Sequence, residues 1–145
     1  MLACYTNRLS VAAGERFAIH ASNDGGACRL QIARVGAERR AVLEQPLDVG
    51  AHAIPQRADR DGCGWPAAAT LRAEADWPAG YYDIALENER GERAHHFVCV
   101  KPSKDGPKAK AVLVLATNTY HAYNWWGGAN AYCDVTALMS GQAPL

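Results

Sequence analysis

The 145 residues carry 15 basic and 15 acidic side chains, giving a formal net charge of zero, and 49% of them are hydrophobic. That composition and length suit a folded protein with one core and part of another, and exclude a disordered tail or a mini-protein. Lysine and arginine are scattered rather than clustered, and the longest apolar run, residues 111–116 (AVLVLA), falls far short of the roughly 20 residues of a membrane helix, so neither nucleic acid nor a membrane is expected as a partner.

The N-terminal stretch MLACYTNRLS has no basic region leading into a long apolar one, which predicts a cytoplasmic protein. Five cysteines, Cys4, Cys28, Cys63, Cys99 and Cys133, are odd in number and far apart, with no C-x-x-C. They signal neither a disulfide framework nor a zinc site, and are expected to be buried free thiols.

Alternation of apolar and polar residues sets the pattern as far as Val100. Residues 16–21 place Phe17, Ile19 and Ala21 on one face, and residues 28–35 do the same with Cys28, Leu30 and Ile32, with turn residues at 22–26 between them. Residues 57–66 (RADRDGCGWP) are polar and glycine-rich, as in a long loop; Asp59 and Asp61 open like a calcium loop whose remaining ligands are missing. Strands follow at 70–75, 81–87 and 94–100, with Tyr82, Ile84 and Leu86 alternating against Asp83 and Glu87, and a hairpin turn at 88–91. In WPAGYYDIAL (77–86) a tyrosine stands at the head of a strand, the place where such a residue ties down a corner. His95 and His96 adjoin on one strand and so point to opposite faces, and His20 and His52 lie in separate segments without ligand spacing. The predicted fold class is mainly β, an immunoglobulin-like β-sandwich over residues 1–102.

Residues 103–110, within KPSKDGPKAK, have the composition of an exposed linker. Residues 111–145 then read as the start of an α/β domain, because AVLVLA lacks polar alternation, as does a parallel strand covered on both faces. In such sheets sites form just beyond the carboxyl ends of strands. There stands the loop predicted at 117–128, TNTYHAYNWWGG, with hydrogen-bonding groups, aromatic walls at Trp125 and Trp126, and two glycines, Gly127 and Gly128, that let backbone approach a ligand. Asn118, His121 and Asn124 are its candidate catalytic groups. No serine or cysteine nucleophile motif surrounds His121.

The segments GYYDIAL, FVCVKP and KAVLVLATNTYHAYNWWGG, in that order, together with CYTNRLSVAAGERFAIHAS near the start, resemble the large, catalytic subunit of N,N-dimethylformamidase and its relatives. The T-Y-x-A-Y-N-x-W-G-G pattern is the specific part. The resemblance implies a β-rich domain followed by a flavodoxin- or amidotransferase-like α/β domain, and hydrolysis of a small amide at a mononuclear ferric iron (Fe3+) held by two tyrosines and a glutamate. Phenolate and carboxylate are hard anionic donors suited to that ion. Tyr123 matches the motif best as a ligand and Tyr120 is the second choice; Tyr132 is too near in sequence to Tyr123 to be assigned as its companion.

The remaining ligands are expected beyond Leu145, so the chain is read as a fragment of such an amidohydrolase, inactive by itself, or as one that forms a homo-oligomer by pairing strand 111–116 with another copy. The alternative is a non-catalytic β-sandwich module binding a partner or a carbohydrate, with Trp65, Trp77, Trp125 and Trp126 as stacking surface.

Overall fold

The segments that alternate most cleanly do form strands. In the computed structural model, which describes residues 1–102, 112–124, 126, 129–130 and 132, the strands are β1 (Leu2–Thr6), β2 (Ser10–Val11), β3 (Arg16–Asn23), β4 (Cys28–Val35), β5 (Arg39–Leu47), β6 (Ala67–Arg72), β7 (Gly80–Asn88) and β8 (Arg93–Val100). Two short helices, α1 (Ala58–Asp61) and α2 (Thr117–Tyr123), complete the described elements, and the chain is mainly β. No described helix is long and apolar enough to cross a membrane.

Two compact units divide the chain: Met1–His52 with Trp65–Lys108, and Ala53–Gly64 with Ala109–Leu145. All eight strands lie in the first. They form a three-stranded sheet in the order β1-β3-β6 and a five-stranded sheet in the order β2-β8-β7-β4-β5. Every pairing is antiparallel except that of β2 with β8. The inward side chains of both sheets make one core: Phe17, Ile19 and Ala21 from β3, Leu30 and Ile32 from β4, Tyr82, Ile84 and Leu86 from β7, Val98 and Val100 from β8. Each large aliphatic side chain so removed from water contributes about 1.5–3 kcal/mol of driving force.

The start of the chain joins the two sheets. β1 pairs with β3, and Thr6 at its end donates its hydroxyl to the carbonyls of Arg8 and Phe97, at 2.9 and 3.2 Å. Four residues later β2 begins and runs parallel to β8, with Ser10 opposite Cys99 and Val11 opposite Val100. At the head of β7 the corner tyrosine is Tyr82, fully buried, its hydroxyl donating to the Pro78 carbonyl at 2.6 Å and its ring stacked on Trp77.

Buried polar groups elsewhere find partners, as burial requires. The Asn88 side-chain carbonyl accepts from the amides of Arg90 and Glu92, both at 3.0 Å, and shapes the β7–β8 hairpin. Its amide donates to Asn23 Oδ1 at 3.0 Å and so links that hairpin to the β3–β4 turn. Gly25 lies against the Asn88 amide, where a Cβ would overlap it.

Several expectations are corrected. β3 extends to Asn23, so the turn predicted at 22–26 begins later. The strand predicted at 70–75 is instead β6, ending at Arg72, because Ala73 is drawn into backbone bonds with Gly14 and Glu15. The loop predicted at 57–66 contains the single helical turn α1. Residues 112–116 form no strand, and Val112, Leu113 and Val114 are exposed rather than covered on both faces. A strand exists through its pairing, and no described strand pairs with them. The loop predicted at 117–128 begins as the helix α2; Trp125, Gly127 and Gly128 lie outside the described residues, as do the whole of the predicted linker and Cys133.

Candidate functional site

Helix α2 presents the motif predicted to carry chemistry. Its first turn closes through the Tyr120 amide donating to the Ala116 carbonyl at 3.1 Å, without a side-chain cap. Asn124 turns extended at its C-terminal end. That residue is drawn into the backbone, its side-chain oxygen accepting from the Trp126 amide at 3.1 Å, the local bond by which asparagine fixes a turn.

Tyr120 and Tyr123 stand three residues apart on α2, the spacing of neighbours on a helical surface, and both are more than half exposed. Asn118 and His121, also three apart, are exposed on the same short helix. The five predicted site residues therefore lie on one helix and the residue that ends it. No group of three or more His, Cys, Asp or Glu side chains among the described residues is arranged to hold a metal ion.

A residue left unassigned in the sequence joins them. The Tyr132 ring stacks on Tyr123 with centroids 4.6 Å apart and planes 26° from parallel. Interaction with the Tyr132 phenol is the main cause that raises the Tyr123 phenol pKa above its ordinary value, with desolvation adding to it. That direction favours the protonated phenol, whereas ligation needs the phenolate; a bound cation would reverse it. The available signal for this pairing was the turn-forming composition N-W-W-G-G-A-N between the two tyrosines.

Phenol oxygens suit ferric iron in kind. Among the described residues, Tyr123 and Tyr120 offer phenol oxygens of that kind. No glutamate follows Glu92 in the sequence, and Glu92 itself accepts from the Asn88 amide in the β7–β8 hairpin.

The remaining histidines serve the strand-bearing unit. His95 donates to Asp83 Oδ1 at 3.0 Å, while His96 lies 3.1 Å from the Thr6 hydroxyl, so the two neighbours diverge as expected. His20 donates to the Trp65 carbonyl at 2.7 Å and stacks on Tyr5, and His52 lies beside Trp65. Trp65 and Trp77 are only 5% and 8% exposed, so neither offers a stacking surface. Among the described residues four cysteines are free, of which only Cys28 is buried outright; Cys4, Cys63 and Cys99 are half-buried, and desolvation pushes the Cys4 thiol up to about 12.

On the outer face of the five-stranded sheet, Arg39 reaches from β5 to Asp83 on β7 with two bonds, at 2.8 and 3.3 Å, and also donates to Gln31 on β4. The periodicity gave no warning of this network, because it links strands far apart in sequence.

Residues 29–143 match the sequence model of a family described as N,N-dimethylformamidase beta subunit-like, C-terminal. No curated protein matches the chain. Among solved structures, it is similar at 24% identity and a TM-score of 0.40 to a protein described as a novel fungal alcohol oxidase with catalytic diversity among the AA5 family, in complex with copper. The similarity covers 66% of this chain and only 19% of the oxidase.

Proposed function

The chain belongs to the N,N-dimethylformamidase beta subunit-like family, and from that membership we propose that it forms part of an amidohydrolase acting on a small amide, as the N-terminal portion of a large, catalytic-type subunit. The observation that carries the proposal is the family match over residues 29–143, which spans the Tyr-His-Ala-Tyr-Asn sequence of α2.

The strand-bearing unit is proposed to be an immunoglobulin-type sandwich. Its sheet order, the parallel β2–β8 pairing and the Tyr82 corner support that assignment. Residues 111–145 are proposed to begin a flavodoxin- or amidotransferase-like α/β domain.

Tyr123, with Tyr120 as second choice, would hold the ferric ion, which when bound supplies Lewis-acid polarisation of the amide carbonyl. Asn118 and His121, exposed on α2, would hydrogen-bond an amide substrate, and Asn124 fixes the turn that ends the helix. With no glutamate after Glu92, the carboxylate donor comes from a further segment or a second chain, and the 145 residues alone are inactive. The alternative, a carbohydrate- or partner-binding module, loses support because Trp65 and Trp77 are buried.

Protein expressed from the complete reading frame tests the proposal. It is expected to bind iron, to show a visible tyrosinate-to-iron absorption, and to release amine from small amides, with Tyr123→Phe abolishing the absorption. A colourless, iron-free protein without action on any small amide would overturn it.

A further inference from the structure

Tyr123 is the last residue of α2, a seven-residue helix without a side-chain N-cap and with no buried residue, so neither core packing nor capping holds its ring. The ring is 56% exposed. Among the described residues, what contacts it is Tyr132, stacked with ring centroids 4.6 Å apart. Tyr132 is itself held at the backbone, where its amide donates to Asn130 Oδ1 at 2.9 Å.

We propose that Tyr132 is a positioning residue for Tyr123, fixing the ring plane and the direction of the phenol oxygen at the end of α2. The proposal rests on the assignment of Tyr123 as a metal-ligand phenol. An exposed tyrosine at the end of a short helix samples several rotamers, and a ligand must be held close to one geometry before the ion arrives. Stacking, worth about 0.5–1.5 kcal/mol for aromatic pairs, orients the plane and with it the direction of the phenol oxygen. Phenylalanine at 132 would keep the stack; alanine would lose it.

The test uses protein from the complete reading frame with its tyrosine rings isotopically labelled, in wild-type, Tyr132→Phe and Tyr132→Ala forms. Aromatic NMR reads the ring-current shift of Tyr123. Titration with ferric nitrilotriacetate, which leaves positions open for a phenolate, reads ligation through the visible tyrosinate band. The expected result is a shifted Tyr123 ring in the wild type that persists in Tyr132→Phe and collapses in Tyr132→Ala. The band's apparent affinity should fall at least about tenfold in Tyr132→Ala and be largely restored in Tyr132→Phe, a loss of about 1.4 kcal/mol or more for the alanine variant. A band that Tyr132→Ala leaves unchanged, or a Tyr123 ring shift indifferent to that substitution, overturns the positioning role alone. A wild-type chain that shows the ring shift but no band overturns the ligand assignment, and the positioning role with it.

Discussion

The hydroxyl of Tyr82 donates to the carbonyl of Pro78, four residues earlier, at 2.6 Å, and closes the turn that feeds β7. The side chain is fully buried, so the bond replaces water that cannot reach it. Tyr82→Phe keeps the ring and its stack on Trp77 and removes only the hydroxyl. The expected cost is about 1–2 kcal/mol, read as a lower urea midpoint with unchanged slope. A midpoint equal to the wild type would show that the corner bond adds nothing to stability.

Asp83 predicts the acid limb of stability. Burial works against its charge, but the hydrogen bonds from His95 and Arg39, with their positive charges, outweigh it and hold the carboxyl below the ordinary aspartate range. A carboxyl depressed in the folded state stabilises above its unfolded pKa, about 3.9, and that contribution fades as pH falls through the lower folded value. Asp83→Asn should therefore cost about 1 kcal/mol near neutral pH, given partial solvent screening, and little in strong acid. Denaturation midpoints measured from pH 7 to pH 2 should converge for the two proteins as pH falls, and parallel curves would contradict the assignment.

The exposed apolar run is expected to drive self-association. Val112, Leu113 and Val114 are 88%, 71% and 83% exposed, three consecutive aliphatic side chains in water. Sedimentation velocity over a micromolar concentration series should show reversible association of the wild type, and Leu113→Asp should shift it to monomer. A wild type that stays monomeric throughout removes self-association through this run.

Much of the strand-bearing unit was legible because its four inner strands obey a period of two: Phe17 to Ala21, Cys28 to Ile32, Tyr82 to Leu86 and Val98 with Val100 all face the core as their alternation requires. β5 went unread since it is an edge strand, with exposed Arg39, Arg40 and Glu44 and with Pro46 inside it, a sequence that needs only one hydrogen-bonded neighbour. β1 and β2 are short, and their identity depends on partners far along the chain. At residues 111–116 hydrophobicity alone suggested a buried strand, but it cannot supply the neighbours that a strand requires. At the candidate site the residues were legible and their arrangement was not: α2 has the chemistry of a loop and the backbone of a helix, and the contact of Tyr132 with Tyr123 is a tertiary fact with only a turn-like composition to announce it.

The division of the N-terminal segment between two sheets, β1 in one and β2 in the other, bears on the order in which the chain can fold. β1 finds β3 after a short excursion, but Ser10 and Val11 must wait for Cys99 and Val100, almost the whole length of the unit away. Closing so long a loop is entropically slow, so during synthesis the hairpins β4–β5 and β7–β8 can assemble while β2 still lacks its neighbour. The seam of parallel pairing is then expected to be the last latch of the strand-bearing unit to close, and in local unfolding the first place for it to open.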